Sequence, residues 1–299
     1  MFSAFNPAIF FNRLCVILRL MADEKIGEIV IENHAVYSAI LKRVVIFDCY
    51  VPIDFSTLTS ISLLLINDGQ DLIKMPFEEI LEPLLISKRI TPLFCVGIHC
   101  APDRKSEYGT AMVLDYKGRG AKANEYSRFV MEELLPYLRQ AYNINSFKEK
   151  AFAGFSLGGL SAIDIAWNYP AEFTTVGIFS GSFWWRDKGQ DDEDFDEDTD
   201  RIMQRLIREG NYAPSLKFFF EVGTLDETAD RNNNGVIDSI DDTLSIIEEL
   251  TKKGYRNGRD ILYLEIKDGQ HNVETWARAF PVFLEWGWGA SEEVVFRKS

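Results

Sequence analysis

The sequence predicts an α/β domain in which a mostly parallel sheet is covered by helices on both faces. Three observations predict it. Short, almost continuous apolar runs at 61–66, 92–98, 151–155, 218–222 and 261–266 read as strands buried on both sides. Amphipathic stretches alternate with them: 125–141, for example, turns Tyr126, Phe129, Val130, Leu134, Tyr137 and Leu138 to one face. A Gly-x-Ser-x-Gly motif sits at one of the strand-to-helix boundaries. With 299 residues, 46% of them hydrophobic, the chain has ample material for one large core. No internal repeat or low-complexity linker divides it, so a single domain is expected over 25–290. Residues 1–24 are expected to form an N-terminal extension outside the fold, and 291–299 a tail.

The elements follow in chain order. An N-terminal strand-like segment carries His34. The run 61–66 opens into Asn67-Asp-Gly-Gln-Asp71, followed by a helix from about Pro76, and the run 92–98 ends at His99. After the helix at 125–141 comes Lys150-Ala-Phe-Ala-Gly-Phe-Ser156-Leu-Gly-Gly159, a buried strand ending in the motif. The helical pattern of 160–167 then stops at Tyr169-Pro170. A nucleophile elbow has this context. Its serine takes a strained backbone conformation, and Gly154 and Gly158 let strand and helix approach closely. The hydroxyl is thereby presented at a helix N-terminus, where backbone N–H groups favour developing negative charge.

A serine hydroxyl needs a general base, and the base needs an orienting group. Of the three histidines, only His271 follows the serine, which is the chain order of elbow hydrolases. It lies between the strand at 261–266 and a helix at 274–280. His99 reads as a structural or pocket-wall residue and His34 as a surface one. The acid should end an intervening strand, and 216–222 with its Gly223 turn supplies Asp226. Glu227 is the adjacent competitor, whereas Glu221 still belongs to the strand. For an oxyanion, the expected donors are the backbone N–H of Leu157, after the nucleophile, and of Gln70, with Asp71 next in line.

Immediately after the acid loop, Asp230-Arg-Asn-Asn-Asn-Gly-Val-Ile-Asp-Ser-Ile-Asp241 matches a twelve-residue calcium loop. Oxygen ligands are expected from Asp230, Asn232, Asn234, Asp238 and Asp241, with the Val236 carbonyl completing the set and Gly235 making the sharp turn. An exiting helix follows, with Ile240, Leu244, Ile247 and Leu250 on one face and Gly254 as its stop. The entering helix is missing, so the loop is EF-hand-like rather than a full EF-hand. The expected Ca2+ is structural, ordering the segment that carries Asp226; no cofactor is expected in the chemistry.

Taken together, these blocks resemble the putative esterase family of α/β-hydrolases, in its enterochelin-esterase-like branch. The resemblance rests on Ala153-Gly-Phe-Ser-Leu-Gly-Gly-Leu-Ser-Ala162, Asn67-Asp-Gly-Gln70, Phe179-Ser-Gly-Ser-Phe-Trp-Trp185, Gly223-Thr-Leu-Asp226, and Gly269-Gln-His271 followed by Trp276. It spans about 25 to 288 and implies an α/β-hydrolase fold hydrolysing a small-molecule carboxylic ester, with Ser156, Asp226 and His271 as triad. Siderophore esterases of this group carry an additional N-terminal domain, for which this chain has no room. The resemblance therefore implies the reaction rather than enterochelin as substrate. An acyltransferase using the same acyl-enzyme is the alternative within this chemistry, and a calcium-binding interaction module of the dockerin kind the alternative outside it.

Trp184, Trp185 and Trp276 fall near the expected pocket face, and Arg104, Lys117, Arg119 and Lys122 form a basic stretch that either meets an anionic substrate or is an ordinary exposed loop. The formal net charge of −14 argues against nucleic acid or an anionic membrane surface as partner. Part of that charge sits in the acidic run 191–200, expected to be a solvated loop. Cys15, Cys49, Cys95 and Cys100 show no zinc spacing and read as reduced thiols. The first twenty residues, interrupted by Arg13 and Arg19, are wrong for a membrane span or a secretory signal, and a cytoplasmic protein is expected.

Overall fold

The computed structural model describes residues 27–53 and 60–290. The extension 1–24 with Cys15, and the tail 291–299, lie outside the described residues. Eight strands form one sheet: β1 (Ile29–Ser38), β2 (Arg43–Pro52), β3 (Ser62–Asn67), β4 (Leu93–Ile98), β5 (Lys150–Phe155), β6 (Thr175–Phe179), β7 (Lys217–Leu225) and β8 (Ile261–Gln270). Their order is β1-β2-β4-β3-β5-β6-β7-β8. β2 pairs antiparallel with both β1 and β4, and every other pairing is parallel. This is the mostly parallel sheet of an α/β-hydrolase fold.

Side-chain alternation along the strands splits the core into two layers. Leu63 and Leu65 of β3 face one layer, Leu64 and Ile66 the other, and all four are fully buried. The first layer is closed by α2 (the continuous run Ala123–Arg128, Phe129–Leu134, Leu135–Ala141), α3 (Leu157–Asn168), α4 (Ile202–Glu209) and α5 (Asp238–Lys253). The second is closed by α1 (Phe77–Ile86) and α6 (Val273–Trp288). Parallel strands need such crossovers, and their C-terminal ends gather on one edge of the sheet. That edge carries Asn67–Gln70, Ser156, Ser180–Ser182, Asp226 and His271.

Three local expectations change. The middle of α2, Phe129–Leu134, is π-helical, and the wider turn buries Leu134 and Leu135 together, while Tyr137 is only partly buried. On α5 the core-facing residues are Ile240, Ile246, Ile247 and Leu250, whereas Leu244 is 42% exposed. His34 is not a surface residue: its ring stacks on Phe47 at 5.2 Å, and its two nitrogens each lie 3.0 Å from a tyrosine hydroxyl, Tyr137 and Tyr142. His99 Nε2 lies within hydrogen-bond distance of Asp48 Oδ2, at 2.7 Å. Cys49, Cys95 and Cys100 are free thiols; burial pushes Cys49 up to about 12 and Cys100 up to about 11, which keeps them protonated and unreactive.

The second layer is dominated by aromatic rings. Phe280 of α6 has no exposed surface, stacks on Phe179 at 4.8 Å and meets Phe77 edge-on at 5.1 Å. Truncating it leaves a cavity that rigid neighbours fill poorly. Phe280→Ala is expected to lower stability by about 3–5 kcal/mol in urea unfolding.

Candidate active site

Ser156 adopts φ 54° and ψ −121° between β5 and α3. A side-chain-bearing residue takes such a conformation only when its surroundings impose it. Here the backbone packing does so. A Cβ on Gly154 would lie 2.3 Å from the Gly158 carbonyl oxygen, and one on Gly158 would lie 2.6 Å from Asp68 Oδ2 and 3.0 Å from Asn67 Cβ. The Ser156 N–H donates to the Phe179 carbonyl at 2.8 Å, and the Ser182 N–H donates to the Ser156 carbonyl at 3.2 Å. Ser182 also sets its hydroxyl 3.3 Å from Ser156 Oγ, a neighbour that the sequence reading did not single out.

The loop after β3 abuts the elbow because β3 and β5 are adjacent parallel strands. The Asn67 amide donates to the Gly158 carbonyl at 2.8 Å and its oxygen accepts from the Tyr126 hydroxyl at 2.6 Å. Asp68 is left-handed, with φ 59° and ψ 40°, and turns the chain into a 3-10 helix, Gly69–Lys74. The Asp71 N–H is taken by the Asp68 carbonyl, which removes it as an oxyanion donor. The Gln70 side chain is pinned by the Cys100 N–H at 3.0 Å. Among the described residues, neither the Gln70 nor the Leu157 backbone N–H has a hydrogen-bond partner.

His271 follows β8 directly and precedes α6, whose N-cap Asn272 accepts from the Thr275 N–H at 3.0 Å. Its ring meets the edge of Trp276 at 5.5 Å. Asp226 curls back over the end of β7, where Oδ1 accepts the Gly223 N–H at 3.2 Å. Its side chain is 1% exposed, and Oδ2 lies 3.6 Å from His271 Nδ1. That is longer than a formed hydrogen bond, as is common before substrate binds. The neighbouring Glu227 is turned elsewhere, towards Ser239.

The expected pocket walls divide into two groups. Trp184 is half-buried, with the Arg119 guanidinium over its ring at 4.7 Å. Trp185 has no exposed surface and its indole N–H donates to Thr110. It packs under Gly109 and Gly120, which corrects its reading as a ligand contact. Trp276 is 7% exposed, stacks on Phe155 at 4.8 Å, and donates to the Ser180 hydroxyl. Arg104 is committed to the frame as well: it donates to both Asp68 oxygens at 2.7 Å and to the Phe155 carbonyl at 3.2 Å. The rest of the basic stretch is similarly occupied, with Arg119 on Asp115, Lys122 on Asp103 and Lys117 over the Tyr116 ring. The loop 109–120 and the segment after Trp184 are joined by the Tyr116 N–H donating to the Arg186 carbonyl, with the Arg186 guanidinium over the Tyr116 ring. In the acidic run, Asp200 is buried, whereas Asp191–Asp194 are exposed as expected.

The loop from Asp230 to Asp241 closes on itself. Gly235, at φ 85°, donates its N–H to Asp230 Oδ2 at 2.9 Å. The Asn234 N–H donates to both Asp230 Oδ1 and Asn232 Oδ1 at 3.1 Å. The Asn232 and Asn234 amides both donate to Asp241 Oδ2, at 2.9 and 2.8 Å. Side chains of positions one, three, five and twelve therefore converge. Asp238 does not join them, because it accepts the Arg231 N–H and is ion-paired with its guanidinium. Beside the loop lies a cleft of about 410 Å³, lined in part by Asn232, Asn234 and Asp241. Among the described residues, no three His, Cys, Asp or Glu side chains form a metal-binding group, so amide and carbonyl oxygens would have to supply most ligands.

Among the described residues no helix is long and apolar enough to cross a membrane. The uncharacterized protein YbbA of Bacillus subtilis is 22% identical over 255 residues, which cover 83% of this chain and 94% of that protein. The enterobactin esterase of Shigella flexneri, solved in the presence of enterobactin, superposes with a TM-score of 0.67 at 20% identity, over 87% of this chain and 58% of that one. This chain thus spans under two thirds of the length of that esterase. A siderophore hydrolase of Aspergillus nidulans superposes with a TM-score of 0.61 at 15% identity, over 90% of this chain and 97% of that one. At such identities the likeness establishes a shared fold. The family model described as "Putative esterase" matches residues 38–286, most of the chain, and the chain belongs to that family of ester hydrolases.

Proposed function

We propose that the protein hydrolyses a small-molecule carboxylic ester through an acyl-enzyme on Ser156, as an enterochelin-esterase-like enzyme. The observation that carries this reading is the approach of buried Asp226 Oδ2 to His271 Nδ1 at 3.6 Å, on the sheet edge that bears the strained Ser156. Ser156 Oγ attacks the ester carbonyl while His271 Nε2 takes its proton. Asp226 holds Nδ1–H and offsets the charge on the imidazolium. The oxyanion is received by the Leu157 and Gln70 N–H groups. His271 then protonates the departing alcohol, and water, deprotonated by the same ring, releases the acid from Ser156. Trp184, Trp276 and Ser182 border the substrate, and the pairing of Arg104 with Asp68 makes Arg104 a support of the elbow more than an anion receptor.

Ser156→Ala is expected to abolish fluorophosphonate labelling and to lower aryl-ester turnover by several orders of magnitude, and Asp226→Asn to lower kcat by about 10⁴. Equal labelling of the Ser156→Ala protein, or a damaging Glu227→Gln beside a mild Asp226→Asn, contradicts the assignment. Including an alcohol acceptor in the assay separates hydrolysis from acyl transfer.

We further propose that the loop holds one calcium ion through Asp230, Asn232, Asn234, the Val236 carbonyl and Asp241. Asp238, held by Arg231, acts through water, as position nine of such loops commonly does. The support is the convergence of Asp230, Asn232 and Asp241 around the Gly235 turn, since an amide flip turns the Asn232 or Asn234 oxygen inward. The ion would be structural, because the loop begins four positions after Asp226. At one hundred times Kd, calcium is expected to add about 2.7 kcal/mol, a rise in melting temperature on the order of 5–10 °C that chelator reverses. Asp230→Ala with Asp241→Ala is expected to remove that response while leaving Ser156 reactive; an unchanged melting curve with chelator overturns the site.

A further inference from the structure

Glu221 has no role in the chemistry proposed above, yet it is the most anomalous polar group near it. It lies on β7 two residues before Gly223, so the two share a face of the sheet. That face is the aromatic layer of Phe179, Phe219, Ile266 and Trp276. The residue is 1% exposed, and neither carboxyl oxygen has a hydrogen-bond partner. Directly above it Gly223 leaves room for Asp226, for a Cβ there would lie 2.6 Å from Asp226 Oδ1. An unpaired carboxylate in such a place is costly, and a second one beside Asp226 costs more.

We propose that Glu221 is a positioning residue for the Asp226–His271 pair: it stays protonated while the site works, and its ionisation places a second negative charge beneath Asp226 that drives the pair apart. The inference rests on the triad reading. Asp226 is held by a single long hydrogen bond from Gly223 and by its attraction to His271, so repulsion from below is opposed by little. The groups that face Glu221 do not neutralise such a charge. From the loop after β7 comes Asp226, from the end of β6 the Ser180 backbone N–H, which donates to the Glu221 backbone carbonyl at 2.8 Å, and from α6 Arg278, whereas Tyr263 of β8 packs on the opposite layer. The sole cation among them, Arg278, makes its hydrogen bond to the Lys267 carbonyl.

Burial first, and then the Asp226 charge, push the Glu221 carboxyl up from 4.5 to about 8. The sign of the stability effect follows. Between those two values the folded chain keeps a proton that the unfolded chain has lost, so stability falls as pH rises from 4.5 towards 8 and levels off above.

The test compares kcat against pH for the parent and Glu221→Gln, using an aryl ester at saturating concentration. The parent is expected to lose activity as pH passes about 8, and Glu221→Gln to hold a flat profile through that window with neutral-pH activity within a few-fold of the parent. Superimposable profiles, with both proteins labelled by fluorophosphonate, overturn the proposal and leave the triad reading standing; loss of labelling in Ser156-intact parent sinks the triad reading instead. Should Glu221→Gln not fold, the Asp226→Asn protein serves: removing the facing charge is expected to end the pH-dependent decline in stability at a lower pH than in the parent. An unshifted decline overturns the proposal.

Discussion

Everything at the site depends on how closely β5 and α3 approach each other around Ser156. Gly154 meets the Gly158 backbone with no room for a methyl group, and Gly158 in turn lies against Asp68. Asp68 is fixed from the far side by Arg104, which also reaches the Phe155 carbonyl. One part-buried ion pair thus joins the elbow to the loop that offers Gln70. A bidentate guanidinium suits this task, because its two parallel donors fix the carboxylate plane as well as its distance. The strain at Ser156 is held by contacts with backbone and ion pair.

The elements of the fold were legible because their periodicities are strong and their order constrains topology. Runs of buried strand residues at 61–66, 151–155, 218–222 and 261–266 lie in parallel strands of one sheet, and the elbow, acid and histidine lie at the C-terminal ends of the last three. Chain order selected His271 because the other two histidines precede the serine. What escaped was whatever depends on partners distant in sequence. Arg104 reads as a free cation until Asp68, 36 residues away, is brought to it. Trp185 reads as a pocket residue until Gly109 and Gly120 cover it, and His34 reads as exposed until Tyr137 of a distant helix and Tyr142 just past its end close on it. Glu221 is on a strand in either view, but only the folded sheet shows that its carboxyl is buried without a hydrogen-bond partner.

The segment after β7 concentrates opposite demands in a short stretch. Phe218 to Phe220 must be wholly apolar to close both layers, whereas Asp226 must reach His271 and Asp230 to Asp241 must fold around polar groups. Gly223 separates these regimes, since its missing side chain is what lets the chain turn back. The loop that follows is cross-linked by its own Asp and Asn side chains and by Arg231, which ties Asp238, Asp242 and Glu197 together. The segment that follows the acid is therefore braced rather than loose.

The linkage between the loop 109–120 and the segment after Trp184 bears on how specificity could change over evolutionary time. Tyr116 and Arg186 share a backbone hydrogen bond and a cation–π contact, and Trp185 packs under two glycines of the first loop. Neither wall can be redrawn alone without unseating the other. Variation in this region should be inherited in blocks, and a laboratory attempt to graft a new substrate preference should exchange both segments together while leaving the glycines and the ion pair of the elbow untouched.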